Sequence, residues 1–329
     1  MFKKTTLITA LITAALGSSS VLAQDMPGEG ITVRPVIGLI SEEYFQSRIL
    51  FRALEDLGYT VAPPLETEIQ TAHLSVGTGD ADFYPIHWKN LQQAFFDEAG
   101  SDDVLERVGP FVDGMLQGYL VDKASYDAGV TDFGMLADPS IAARFDADGN
   151  GTADLAGCVP GWGCERVIEH HLNEYGLRKT VTHNQGAYNA LIADAIARQE
   201  SGEPILYYTW TPYWVSGELV PGKDVEWLSV PYTSLPDDVK ANTEFNGKNL
   251  GFAVDAMYVL ASDKFLASNP PVAALFANAQ LSVNDISAQN LLMSAGEDSS
   301  DDIDRHVNEW IETHRVEYDS WLEAARDAQ

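Results

Sequence analysis

The chain has 329 residues, with 49 acidic against 20 basic side chains, a formal charge of −29 and only two cysteines. So acidic a surface excludes nucleic acid and anionic membrane as partners. The length suffices for two domains with a large core, and past the N-terminus no segment is long and apolar enough to cross a bilayer.

Residues 1–23 carry the three parts of a secretory signal peptide: Lys3 and Lys4, the apolar stretch Leu7 to Leu16, and the small-residue pattern Val21-Leu22-Ala23. Cleavage after Ala23 predicts an exported, soluble chain starting at Gln24, and the absence of a cysteine there excludes a lipid anchor. The leader takes two lysines and no acidic residue with it, so the charge moves from −29 to −31.

The mature chain opens on ITVRPVIGLI, which reads as a buried strand. SEEYFQSRILFRALEDLGYTV follows as a helix, with Ser41 as N-cap and Gly58 as its stop. HLSVGTGDADFYPIHW reads as a helix end and then a strand that closes on an aromatic and a histidine. Near Gly118 the chain crosses into a second unit.

That unit holds FDADGNGTADL, where Asp146, Asp148, Asn150, Thr152 and Asp154 place oxygen ligands at every second position, as an EF-hand calcium loop starts. Gly157 stands where that loop needs a bidentate glutamate, and an Asp/Asn/Gly-rich turn is the alternative reading. CVPGWGC comes next. In an oxidising compartment two nearby cysteines pair, so a Cys158–Cys164 disulfide is expected, fixing the backbone around Trp162. Two buried thiols are the alternative.

VIEHHLNEYGL and GAYNALIADAIARQE read as helices, EPILYYTW and GFAVDAMYVLAS as strands, and the tail from Lys264 as almost all helix. The recurring strand–helix–strand order predicts an α/β protein with largely parallel sheets. Two lobes are expected, one from residues 24–120 and 250–329, the other from 121–249. Trp227, Trp310 and Trp321 read as core, and Trp214 as packing.

No HExxH, GxSxG, phosphate-binding loop or dinucleotide fingerprint occurs. His170 and His171, beside Glu169 and Glu174, read as a surface helix pair, with a metal site as the lesser reading. His183 in THNQGAY has no nucleophile in register. A secreted hydrolase is therefore the weaker alternative to a binding protein that needs no cofactor.

Three stretches, PIHWKN, PGWGC and YYTWTPYW, carry tryptophan in turn-like contexts. Several indole faces together make a receptor for a quaternary ammonium, which has no N–H to donate. With FYPIHW and THNQGAY, these stretches resemble the periplasmic glycine betaine/proline betaine-binding proteins of bacterial ABC importers, over essentially the whole mature chain. The resemblance implies a type II periplasmic binding protein: two α/β lobes closing on ligand by a hinge, working as a monomer in the periplasm and delivering ligand to permease subunits. It also implies a box of Trp88, Trp162 and Trp210 around the trimethylammonium group, and backbone amides of Gly163 and Cys164 on the carboxylate. The family has a histidine four residues after the first tryptophan; here that position is Gln92, an uncharged donor, and His87 is the neighbouring candidate to compensate. Glycine betaine or proline betaine is the expected ligand, with choline and dimethylsulfoniopropionate as alternatives.

Overall fold

The computed structural model describes residues 26–328, so the leader expected at 1–23 lies outside the described residues. ITVRPVIGLI does not form one strand. Pro35 has no N–H to give a ladder, and the run splits into Thr32–Val33 and Val36–Ile37, each paired in parallel with a short partner at Thr60–Val61 and Leu65–Glu66. A 3₁₀ turn at Ser41–Glu43 then precedes helix α1 (Tyr44–Asp56), so Ser41 is not its cap. The face expected to be buried is buried, with Phe45, Ile49, Leu50, Ala53 and Leu54 inward, and Gly58 at φ +91° ends the helix.

Helix α2 (Ile69–Thr78), strand β1 (Phe83–Trp88), helix α3 (Gln93–Glu98) and strand β2 (Leu105–Met115) complete the first pass through lobe 1. The chain then enters lobe 2 as β3 (Gln117–Asp122), β4 (Ala153–Ala156), α4 (Gly163–Glu174), β5 (Val181–Asn184), α5 (Tyr188–Glu200), β6 (Leu206–Trp210) and β7 (Val225–Trp227). It returns as β8 (Asp255–Ser262). The helical tail follows as α6 (Asp263–Ser268), α7 (Pro270–Asn278), α8 (Val283–Ser294), α9 (Ser300–Thr313) and α10 (Arg315–Asp327). Residues 117–120, expected in the first lobe, pair in the second sheet, so the first crossing is at Leu116.

The expectation of largely parallel sheets is corrected. Lobe 1 has the order β1-β8-β2 with both pairings antiparallel. Lobe 2 has the order β7-β3-β6-β4-β5, where β4 lies parallel to β5 and β6, and β3 antiparallel to β6 and β7. The reason lies in the crossings. β1, β2 and β6 end at the seam between the lobes, whereas β3 and β8 start there, as the pairs Trp210–Gln117 and Met257–Trp88 record. A strand that carries the chain across a seam must run away from it, against its neighbours.

Trp310 stacks on Trp321 at 5.6 Å between ring centres, both in the core as expected. His171 departs from its surface reading. It is fully buried, accepts the Tyr119 hydroxyl at Nδ1 (2.9 Å) and donates from Nε2 to the Ser234 carbonyl (2.9 Å), which fixes a neutral ring. Burial holds its pKa down, at about 3.

Candidate functional site

Trp88 is the last residue of β1, at the seam and 5% exposed. The turn after it is tied down by Asp255, the first residue of β8. This carboxylate accepts from the Asn90 amide (3.0 Å), the Asn90 side chain (3.0 Å), the Leu91 amide (2.9 Å) and the Ala256 amide (2.9 Å). Burial raises the Asp255 pKa, and these same bonds act against the rise. Nothing in the local sequence around DAMYVL signals this role, because its partners lie some 165 residues away.

The CVPGWGC loop sits across the seam at the start of α4. Cys158 and Cys164 are bonded, with Cα atoms 6.0 Å apart. His183 braces the loop from behind: Nε2 accepts the Cys158 amide (3.0 Å) while Nδ1 donates to Glu169 (2.7 Å). That is a structural task, and it occupies both ring nitrogens. Glu165 accepts the Gly161 amide at 2.7 Å. Trp162 is the residue before α4, so Gly163 and Cys164 are its first two residues, whose N–H groups have no carbonyl a turn earlier to bond.

Trp162 meets Trp210, at the end of β6, edge to face with ring centres 5.9 Å apart. Trp210 is 8% exposed and also touches Tyr213 (4.3 Å) and Tyr188 (4.6 Å). Trp214 touches Tyr213 alone among the rings, in keeping with packing. The turn after Trp88 reaches the start of α4: a Cβ on Gly163 would fall 2.5 Å from the Leu91 carbonyl oxygen. The lobes are therefore shut at this point, with backbone against backbone. A second seam contact joins the Tyr213 hydroxyl to Glu42 (2.9 Å).

The two other side chains expected here point elsewhere. Gln92 is 3% exposed, and its carbonyl accepts the Trp88 amide at 3.1 Å, bracing the turn. His87 is fully buried in the interior of lobe 1, its Nδ1 2.9 Å from His73 Nε2 and its ring against Phe96. Successive strand residues face opposite ways, so His87 is turned from the side that Trp88 presents.

A cavity of about 290 Å³ opens between the lobes beside the Leu91–Gly163 contact, walled by residues that include Gln117, Gly163, Arg166 and Phe252. None of the three indoles is in its wall. Asp146, Asp148 and Asp154 bring carboxylate oxygens within 4.8 Å of one another on the surface of lobe 2. Asp146 already accepts the amides of Gly149, Asn150 and Gly151, as the Asp-rich turn reading requires.

Beside the Glu42 contact lies Glu43, a buried carboxyl whose Oε2 has no hydrogen-bond partner among the described residues. Burial, with the neighbouring Glu42 charge second, pushes its pKa up to about 8. The folded chain then keeps a proton that the unfolded chain releases above its ordinary value of 4.5, so this group's contribution to stability falls as pH rises from 4.5 to about 8. Glu43→Gln should therefore raise the melting temperature at pH 9 and leave it nearly unchanged at pH 4.5. An equal effect at both pH values in thermal melts would contradict a neutral Glu43.

The profile of a family described as the substrate-binding domain of ABC-type glycine betaine transport systems matches residues 32–313. A glycine betaine/proline betaine-binding periplasmic protein of Escherichia coli (strain K12) is 49% identical over 318 residues, covering 96% of each chain. The glycine betaine-binding periplasmic protein OusX of Dickeya dadantii (strain 3937) is 48% identical over 323 residues, covering 97% of each. Among solved structures, lactococcal OpuAC, closed on glycine betaine, superposes with TM-score 0.69 at 18% identity, over 89% of this chain and 99% of its own. A choline-binding ABC transporter protein in complex with choline gives 0.68 at 18%, over 90% and 97%. At that identity the structures establish the shared fold.

Proposed function

Since the chain belongs to the family of substrate-binding domains of ABC-type glycine betaine transport systems, we propose that it captures glycine betaine or proline betaine and delivers it to a membrane permease. The observation that carries this reading is the meeting of Trp162, Trp210 and the start of α4 with the Trp88 turn at the seam. In this reading the indoles take the trimethylammonium group by attraction to their electron-rich faces. The amides of Gly163 and Cys164 take the carboxylate, where the positive end of α4 favours an anion. The protein does no chemistry; it recognises a zwitterion by its two ends.

Calorimetry with glycine betaine, proline betaine, choline and dimethylsulfoniopropionate tests the reading, and failure of all four to bind below millimolar would end it. Each aromatic contact to a desolvated cation is worth about 0.5–2 kcal/mol, so Trp162→Ala should weaken glycine betaine binding about two- to thirtyfold. Unchanged affinity would remove Trp162 from the box.

The same reading has the protein working as an exported monomer that begins at Gln24, with one lobe from 24–116 plus 250–329 and the other from 117–249. A calcium ion on Asp146, Asp148 and Asp154 is its structural accessory; the clustering of three carboxylates supports it, and hard oxygen donors suit that ion. Native mass spectrometry of the protein secreted from its own gene reads the starting residue, the oligomeric state and the ion at once. The expected species is a single chain starting at Gln24 with one calcium that EGTA removes. A retained leader, a dimer mass or a metal-free chain in calcium buffer would each strike out the corresponding part.

A further inference from the structure

Gln117 opens β3 directly opposite Trp210 on β6, so the two side chains stand side by side on one face of the second sheet. It is 1% exposed. Its Oε1 accepts the Tyr208 hydroxyl at 2.8 Å, while Nε2 is buried without a partner among the described residues. A buried N–H left unmade costs more than an average hydrogen bond returns, and native structures keep few of them.

The surroundings narrow the explanation. Gln117 and Gly163 share the wall of the interlobe cavity. The other polar side chains of that wall are spoken for: Asn90 by Asp255, Gln93 and Glu98 by Asp97 and Gln70, and Arg166 by Asp237. Gln117 therefore stands beside Trp210 and borders the same space as Gly163 at the start of α4. The Gln92 carbonyl is turned to the Trp88 amide and so is no partner for this donor.

We propose that the Gln117 carboxamide, held in place by Tyr208, donates to the carboxylate of the bound zwitterion next to the amides of Gly163 and Cys164. This rests on the betaine-binding reading and adds to it a residue that sets specificity. The anionic end of the ligand is then held by neutral donors alone, two from the backbone and one from a side chain. A ligand without a carboxylate gains little from Gln117.

The test compares Gln117→Met and Gln117→Glu with the unaltered protein, using glycine betaine and its carboxylate-free analogue choline as probes in calorimetry. Losing one hydrogen bond to a charged group should raise the glycine betaine Kd about 10- to 150-fold in Gln117→Met, with choline moving less than about threefold. Gln117→Glu keeps the shape and the Tyr208 bond but turns a donor into an anion, so it should weaken glycine betaine further and favour choline. In the unaltered protein labelled with ¹⁵N, the Gln117 side-chain amide signal should shift downfield when glycine betaine is added. Equal changes for both ligands, or an amide signal that stays in place while glycine betaine binds, would overturn the proposal and leave the betaine reading standing. If the unaltered protein binds neither probe, the betaine reading falls and this one with it. Circular dichroism melts identify a variant that has merely failed to fold, in which case the amide signal of the unaltered protein decides alone.

Discussion

Gly163→Ala is expected to weaken ligand binding about 5- to 150-fold while leaving each lobe folded. The added methyl would lie 2.5 Å from the Leu91 carbonyl oxygen and 2.8 Å from its Cγ, closer than atoms can pack. Backbone cannot swing aside as the end of a long side chain can, so the two lobes must part. Overpacking of this kind costs about 1–3 kcal/mol, which in this protein is charged to closure, because the contact exists only across the seam. Calorimetry reads the loss of affinity, and small-angle scattering reads the more open shape with ligand present. Wild-type affinity in the variant would mean that Leu91 and Gly163 do not meet in the liganded protein.

The second large effect is expected at Asp255, outside any motif. Asp255→Ala strands the half-buried amides of Asn90, Leu91 and Ala256. Buried donors left unpaired cost about 1–3 kcal/mol each, and with some relaxation a loss of about 3 kcal/mol is expected. At roughly 2–4 °C per kcal/mol that lowers the melting temperature by about 6–12 °C. Ligand affinity should fall as well, since the freed turn carries Trp88 and Leu91. A melting temperature within about 2 °C of the unaltered protein would show that the four bonds are dispensable.

The stretches from which the candidate site is proposed stand out in the sequence because they are short and chemically unusual. A tryptophan between glycines and flanked by cysteines, or at the end of a strand-like run, needs no partner to be noticed. The helices were legible for a similar reason, since their periodicity is local, as in Phe45, Ile49 and Leu50 on α1. What escaped depends on residues that meet only after folding. Strand direction was misjudged because β3 and β8 inherit theirs from crossing the seam. Asp255 and Gln117 act on partners 165 and 91 residues away, and nothing beside them in the chain marks either. Gln92 was placed in the site by the family's spacing and His87 by adjacency to Trp88, but one bends back to the backbone and the other faces the interior of lobe 1. His183, without a nucleophile in register, has both nitrogens committed to Cys158 and Glu169, contacts made only in the fold.

The pairing of Trp162 with Trp210, and both with the start of α4, falls entirely on one lobe; only the Trp88 turn comes from the other. If the proposed site binds as we infer, an open molecule would already offer a docking platform and the second lobe would arrive as a lid. Encounter would then be governed by the platform, and residence time by the lid. Damage to Trp88, Leu91 or Asp255 should shorten the stay of the ligand without slowing its arrival, whereas damage to Trp162 or Trp210 touches both. A transporter that pries the lid loose would find its cargo held only by the weaker grip of the platform.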